Sequence, residues 1–238
     1  MYGQIRYDAP RPSAELLAKF EGVWAAVCCD AMGRHGVMGR EIRPIYDGIR
    51  IVGPALTVLA FPADNVTTHK ALQLVRPGDV IVIDDGGAHD VAAFGHNMSL
   101  NARAKGAVGV VTNGSIRDLN LLRRDHFPIF CSGVTPRSPQ KSTPGSVNVP
   151  IHVAGVVVKP GDIVVGDDDG VAVVPLEIAA DIAEKVGKRM EMEAQQAEDI
   201  KHGKRPLEIL FGATWVDDTL KGKIVEVGRP AEPAGAAR

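Results

Sequence analysis

Two rhythms of apolar and polar positions run along the chain. Between residues 80 and 131, short continuously apolar stretches (80–83, 108–112 and 128–131) alternate with stretches of helical spacing (97–105 and 119–124). Strands apolar on both faces, separated by helices, predict a parallel sheet covered by helices and joined by right-handed crossovers. Upstream, Ser13 is placed to cap a short helix over 14–20. Residues 28–33 read as a helix or turn, 50–61 as a strand interrupted at Gly53-Pro54, and 65–74 as a helix. The turn Arg76-Pro77-Gly78-Asp79 ends that helix.

Downstream, a Pro/Ser-rich loop spans 132–145, and strands follow near 149–157, 163–165 and 171–174. Pro175 then opens a long helix to about His202, stopped by Gly203. Ile178, Ile182, Val186 and Met190, spaced by four, form its apolar stripe. Residues 228–238 are rich in Ala, Pro and Gly and predict a disordered tail. The pattern divides the chain into one domain with its C-terminal helix, 1–203, and an extension, 204–238. One device occurs twice: Val75-Arg-Pro-Gly-Asp79 and Val158-Lys-Pro-Gly-Asp162 each lead into a short apolar strand and then acids and glycine. The flanks do not match, which favours a common turn-to-strand device over duplication.

Composition narrows the class. The 238 residues are 45 % hydrophobic and 24 % charged, with a formal net charge of −2 and a pI near 6.4. That balance supports a globular core and gives no footprint for nucleic acid or a membrane surface. The N-terminal residues carry no apolar signal region, and the most apolar run, 147–158, is broken by Asn148, Pro150, His152 and Gly155. Cys28, Cys29 and Cys131 are odd in number and lack a C-x-x-C, which fits a reducing cytoplasm better than a disulfide framework or structural zinc.

Candidate chemistry gathers at the carboxyl ends of the predicted strands, where open α/β sheets bind ligands. If the strands ending at Asp84 and Thr112 are neighbours, Asp85-Gly86-Gly87 and Asn113-Gly114-Ser115 share one sheet edge. Arg117-Asp118 follows, at the start of a helix. Arg offers a planar fork for a carboxylate, and Asp a hard oxygen ligand for a divalent cation. The same dipeptide at a helix start also serves as a plain cap with favourable charge. Gly95-His96-Asn97-Met98 opens another helix whose free N–H groups suit a carboxylate. Asp84 and Asp85 could hold water around a cation, and His69, His89 and His96 fall near the same crevice. No zinc pattern, P-loop, G-x-S-x-G or G-x-G-x-x-G is present.

Asp30-Ala-Met-Gly33, Gly53-Pro-Ala-Leu-Thr57, Asp64-Asn65, Pro77-Gly-Asp-Val-Ile-Val-Ile-Asp84, Gly86-Gly87 and Gly114-Ser-Ile-Arg-Asp118 occur in this order. Together they resemble the RraA-like family, which includes the 4-hydroxy-4-methyl-2-oxoglutarate/4-carboxy-4-hydroxy-2-oxoadipate aldolases. The resemblance implies an α/β fold, an α-β-β-α sandwich of the swivelling phosphohistidine-domain type with a helical C-terminal arm, assembled as a homotrimer or homohexamer. It implies a class II pyruvate aldolase using Mg²⁺ or Mn²⁺ on a small 2-oxo acid, often decarboxylating oxaloacetate as well, because both reactions pass through a pyruvate enolate. Asp118 would hold the metal, and Arg117 would bind the keto oxygen or carboxylate and steady the enolate. The turn at Gly95 and the N–H groups near Asn97 and Met98 would bind the pyruvyl carboxylate. A glutamate of a neighbouring subunit's C-terminal helix would contribute; Glu193 is the candidate and Glu191 the alternate. Two departures stand out. His96 and Leu121 occupy positions where these aldolases carry acids, and His96 is itself a candidate acid/base. Two other readings are a binding protein like the RNase E regulators of the family, and a lyase of the same chemistry on a different hydroxy or oxo acid.

Overall fold

The computed structural model describes residues 3–203, 211–212, 214–225 and 227. It contains two compact units, Met1–Met190 and Glu191–Arg238. The first unit opens with α1 (Ala14–Ala18) and α2 (Ala25–Ala31), followed by β1 (Arg43–Pro44), β2 (Ile51–Leu59), α3 (Val66–Leu74) and β3 (Val80–Asp84). Then come β4 (Ala92–Phe94), α4 (His96–Ala104), β5 (Gly109–Thr112), β6 (Ser115–Ile116), α5 (Leu119–Arg124), β7 (Ile129–Cys131) and β8 (Gly133–Val134). The remaining strands are β9 (Ser146–Val147), β10 (Ile151–Val153), β11 (Val156–Val158), β12 (Ile163–Asp167) and β13 (Gly170–Val174).

The main sheet has the order β1-β7-β5-β3-β2-β12-β13, with β9 also on β2. β3, β5 and β7 are mutually parallel, as the alternation predicts; β2 joins them in parallel beside β3, and β12 and β13 extend the sheet antiparallel. Side chains alternate between two cores. Val164, Val171 and Val173 join the cluster that holds Ile81, Val110, Leu72 and Leu122. Ile163, Val165, Ala172 and Val174 face the other, with Phe20, Cys28, Ile182 and Val186. Helices therefore cover both faces, as a mixed α/β layering requires.

β2 is continuous where an interruption is expected. Pro54 has no N–H to donate, and the parallel pairing with β3 begins only at Ala55, so no ladder bond is lost there. A Cβ on Gly53 would collide with the Gly78 carbonyl oxygen, so this glycine serves a close approach rather than a break.

A second, three-stranded sheet escapes the sequence reading. Its order β4-β6-β8 repeats that of β3, β5 and β7, because each short strand follows one of those strands along the chain. The two Pro-Gly-Asp turns close identically. Asp79 accepts from the Arg76 N–H (2.8 Å) and Asp162 from the Lys159 N–H (2.7 Å). Gly78 and Gly161 sit at φ +88° and +85°.

After a 3-10 turn at Leu176–Ile178, α6 (Ala179–Lys201) forms the C-terminal helix, and Gly203 follows at φ +86°. Its buried stripe is Ala179, Ile182, Ala183 and Val186. Ile178 is 43 % exposed, a departure from the expected stripe, because it lies in the 3-10 turn and off the helix's register. Met190 packs at the edge of the core, and the first compact unit ends there. In the second unit α7 (Trp215–Leu220) carries Trp215 stacked on Phe211. The expected disordered tail, 228–238, lies outside the described residues. No helix among the described residues is long and apolar enough to cross a membrane.

Candidate functional site

β4 and β6 lie side by side and parallel, with Phe94 opposite Ile116. Each runs directly into a helix, so two strand-to-helix turns meet: Gly95 before α4 and Arg117-Asp118 before α5. The Arg117 N–H donates to the Phe94 carbonyl (3.0 Å) and locks the turns together. A Cβ on Gly95 would stand 3.1 Å from both Arg117 Cγ and Asp118 Oδ2. Glycine is needed here for close approach, since its backbone is extended (φ −158°). Asp118 caps α5 in the left-handed region (φ 65°, ψ 34°), a conformation that costs an L-residue about 1 kcal/mol. Its Oδ2 accepts from the His96 N–H (3.2 Å) and lies 3.7 Å from Arg117 Nε. The Arg117 guanidinium also donates to Ser138 Oγ (2.5 Å).

These turns line a cavity of about 190 Å³ together with Asn65, His69, Asn97, Met98 and Lys141. Gly95, Asn97, Met98, Arg117 and Asp118 are thus gathered in one place. The Met98 N–H is already donated to the Gly95 carbonyl (3.1 Å). The Asn97 N–H makes no hydrogen bond among the described residues, which leaves it as the helix's free donor. His96 contributes its backbone only: its ring does not line the cavity but lies 2.6 Å from Asp125. Glu191 and Glu193 belong to the second unit.

Asp84 and Asp85 do not line the cavity. They do share an edge with Asn113, whose side chain accepts from the Asp85 N–H (2.7 Å) and donates to Asp84 (2.9 Å). His89 likewise turns to Ser132.

His69 lines the cavity, as its place near the crevice predicts, whereas Asn65, singled out only as part of the Asp64-Asn65 motif, and Lys141 are not expected there from the sequence. Asn65 is buried, and its Oδ1 lacks a partner among the described residues. Lys141 comes from the Pro/Ser-rich loop, which has no periodicity to read. That loop is pinned by Asp64, which accepts from the N–H groups of Ser142 (2.7 Å), Thr143 (2.8 Å) and Val66 (2.9 Å). Burial alone would raise the Asp64 pKa, but these N–H bonds outweigh it and hold the carboxyl below its ordinary value. His69 is held below the ordinary imidazole value, first by burial and then by the Lys141 charge.

No group of three or more His, Cys, Asp or Glu that could cage a metal occurs among the described residues. Asp118 is the one carboxylate among the residues lining the cavity and is 39 % exposed, while Asn65 Oδ1 is buried without a partner among the described residues. This donor set fits Mg²⁺ or Mn²⁺, which take one or two carboxylates and fill the remaining positions with water and substrate. Three larger clefts, about 350, 590 and 320 Å³, are lined in part by the N-terminal segment; the first contains the Arg11–Asp79 pair and the second the Lys159–Glu177 pair. The grouped chemistry singles out the smaller cavity.

Residues 25–173 match the model of the RraA-like family, described as Aldolase/RraA. The chain belongs to the RraA-like family. Among RraA-like relatives, a protein of Halalkalibacterium halodurans provisionally named 4-hydroxy-4-methyl-2-oxoglutarate aldolase is 35 % identical over 175 residues, 74 % of this chain and 83 % of that one. The Thermus thermophilus 4-hydroxy-4-methyl-2-oxoglutarate aldolase is 35 % identical over 126 residues, 53 % of this chain and 76 % of that one. The crystal structure of Streptomyces coelicolor RraAS2, titled an unusual member of the RNase ES inhibitor RraA family, superposes with a TM-score of 0.70. It is 30 % identical and covers 82 % of this chain and 99 % of its own. The matched span takes in every cavity residue described above.

Proposed function

We propose that this chain is a divalent-metal-dependent class II pyruvate aldolase that cleaves a 4-hydroxy-2-oxo acid to pyruvate, with oxaloacetate decarboxylation as a second activity. The observation that carries this reading is the convergence of Asp118, Arg117 and the α4 N-terminus on one cavity. The names of the aldolase relatives support it. A Mg²⁺ or Mn²⁺ ion held by Asp118 would supply Lewis-acid polarisation of the 2-oxo group.

The chain's own residues do the rest. The Asn97 N–H, at the positive end of α4, receives the carboxylate next to the oxo group. Arg117 binds the oxo oxygen and balances the negative charge that develops there as the C3–C4 bond breaks. Lys141 offers a cation to a second carboxylate, which suits a dicarboxylic substrate. His69, kept neutral by burial and by Lys141, is a group of this cavity that can move a proton at the 4-hydroxyl.

The catalytic part is residues 1–203, acting in the cytoplasm. A homotrimer or homohexamer would let Glu193, or Glu191, contribute from a neighbouring subunit. A lyase acting on another hydroxy or oxo acid is the nearest variant, motivated by His96 and Leu121. The similarity to RraAS2 supports a second reading, a non-catalytic RNase-regulator-like binding protein.

The test is pyruvate release from 4-hydroxy-4-methyl-2-oxoglutarate, oxaloacetate and a panel of related acids, after EDTA treatment and after restoring Mg²⁺ or Mn²⁺. Metal-dependent release that disappears in Asp118→Ala is expected. No turnover of any 2-oxo acid, or an unchanged rate in Asp118→Ala, would overturn the proposal. Capture of an RNase E-type partner by a chain that binds no metal would favour the regulator.

A further inference from the structure

His96 touches both ends of α5. Its backbone N–H donates to Asp118 Oδ2 (3.2 Å), at the helix N-cap. Its ring Nε2 lies 2.6 Å from Asp125 Oδ2, at the C-cap. A second strand of the same linkage comes from α4, where Arg103 Nη2 donates to the Asp125 carbonyl (2.6 Å). Arg124 Nε donates to the other carboxylate oxygen of Asp125 (2.8 Å). The His96 and Asp125 side chains are 14 % and 20 % exposed, whereas Arg124 is 64 % exposed, so the His–Asp pair is the shielded part of the cluster.

α5 needs such a linkage. It has only 6 residues, too few to hold a helix by itself. Leu122 anchors its middle in the core, and Arg123 Nε reaches the Ile45 carbonyl (2.6 Å). Neither contact reaches the N-terminal end; there the Arg117 N–H ties the backbone of the turn to the Phe94 carbonyl, and Asp118, in its disfavoured left-handed conformation, turns its Oδ2 to the His96 N–H.

We infer that His96 is a positioning residue: paired with Asp125, it clamps α5 against α4 and so holds Asp118 Oδ2 in the cavity. At this position the chain replaces an expected acid with a residue that works through a helix terminus rather than at the substrate. The clamp is independent of the reaction proposed above, and only its effect on metal binding and turnover rests on that reading.

The experiment compares the full chain with His96→Ala, Asp125→Ala, the double variant and the conservative His96→Gln, whose side-chain amide can still donate to Asp125. Two readouts are taken: hydrogen exchange over residues 117–125 without metal, and Mn²⁺ affinity from water-proton relaxation. Each alanine variant should exchange faster across α5 and bind Mn²⁺ about tenfold more weakly, the size typical for losing a group that orients a metal ligand. The double variant should be no worse than either single one, because both remove the same linkage. His96→Gln should recover most of both losses, and it also controls for misfolding of the alanine variants. Unchanged exchange in Asp125→Ala would overturn the inference, and so would additive losses in the double variant. A His96→Gln protein with normal exchange and no turnover would overturn it too, by placing His96 in proton transfer. If the wild type binds no Mn²⁺ and turns over nothing, the proposed function fails, while the exchange comparison still decides the clamp.

Discussion

Asp85 should behave as a built-in limit on stability at neutral pH. Its carboxyl is 1 % exposed, its Oδ2 has no hydrogen-bond partner among the described residues, and Asp84 is its chain neighbour. Burial first, and the Asp84 charge second, push its pKa up to about 7 from the ordinary 3.8. The sign follows from proton counting. Between these two values the folded chain keeps the Asp85 proton while the unfolded chain has lost it. Stability therefore falls as pH rises through that window and levels off above 7. A displacement of this size corresponds to at most about 4 kcal/mol.

Asp85→Asn keeps the shape and cannot ionise. The buried amide lacks a partner, as the protonated acid does, so the two should be nearly equal in stability near pH 4. Their difference should then grow in favour of the variant, by about 2–4 kcal/mol at pH 8. Urea unfolding of both proteins at pH 4, 5, 6, 7 and 8 measures this, and taking the difference cancels the other titrating groups. A gap that stays constant across the series, or a variant that is less stable at pH 8 than at pH 4 relative to wild type, would refute the reasoning.

Gly95→Ala should leave stability within about 1 kcal/mol, since its backbone is extended and only a few tenths of an ångström of yielding is needed. Pyruvate release should still fall at least about tenfold as Arg117 and Asp118 are displaced; thermal melting and the release assay together check this. Lys141→Ala should raise KM for a dicarboxylic substrate by about tenfold with little change in kcat. The same change should raise the His69 pKa, seen by NMR titration, because it removes the charge that together with burial holds it low. Asp64→Ala should strand three N–H groups, cost about 1–3 kcal/mol and expose loop 132–145 to limited proteolysis. Because the Asp64 pKa is depressed on folding, its own contribution is present above the ordinary 3.8 and disappears as pH falls through the folded value.

The parts of the fold that could be read from sequence were those with a long enough apolar signal. β3, β5 and β7 are buried on both faces, so their continuous apolar runs and the helices between them predicted parallel strands, as found. β4, β6 and β8 have three residues or fewer and pair only with one another, so no periodicity marks them. The same limit hid Lys141, which reaches the cavity through bonds from Ser142 and Thr143 to Asp64, 78 and 79 residues away.

The short strands also explain why Arg117 and Asp118 stood out while their surroundings did not. Placing Phe94 beside Ile116 forces two helix starts into contact, and the consequence is chemical as well as geometric. At the N-terminus of α4 the Asn97 N–H is left without a partner among the described residues, and the His96 N–H donates to the carboxylate of the other turn. A lone Arg-Asp at a helix start would be an ordinary cap. Set against a second helix N-terminus across a glycine that admits no Cβ without displacement, the same pair shares one wall of a cavity with the unpartnered Asn97 N–H.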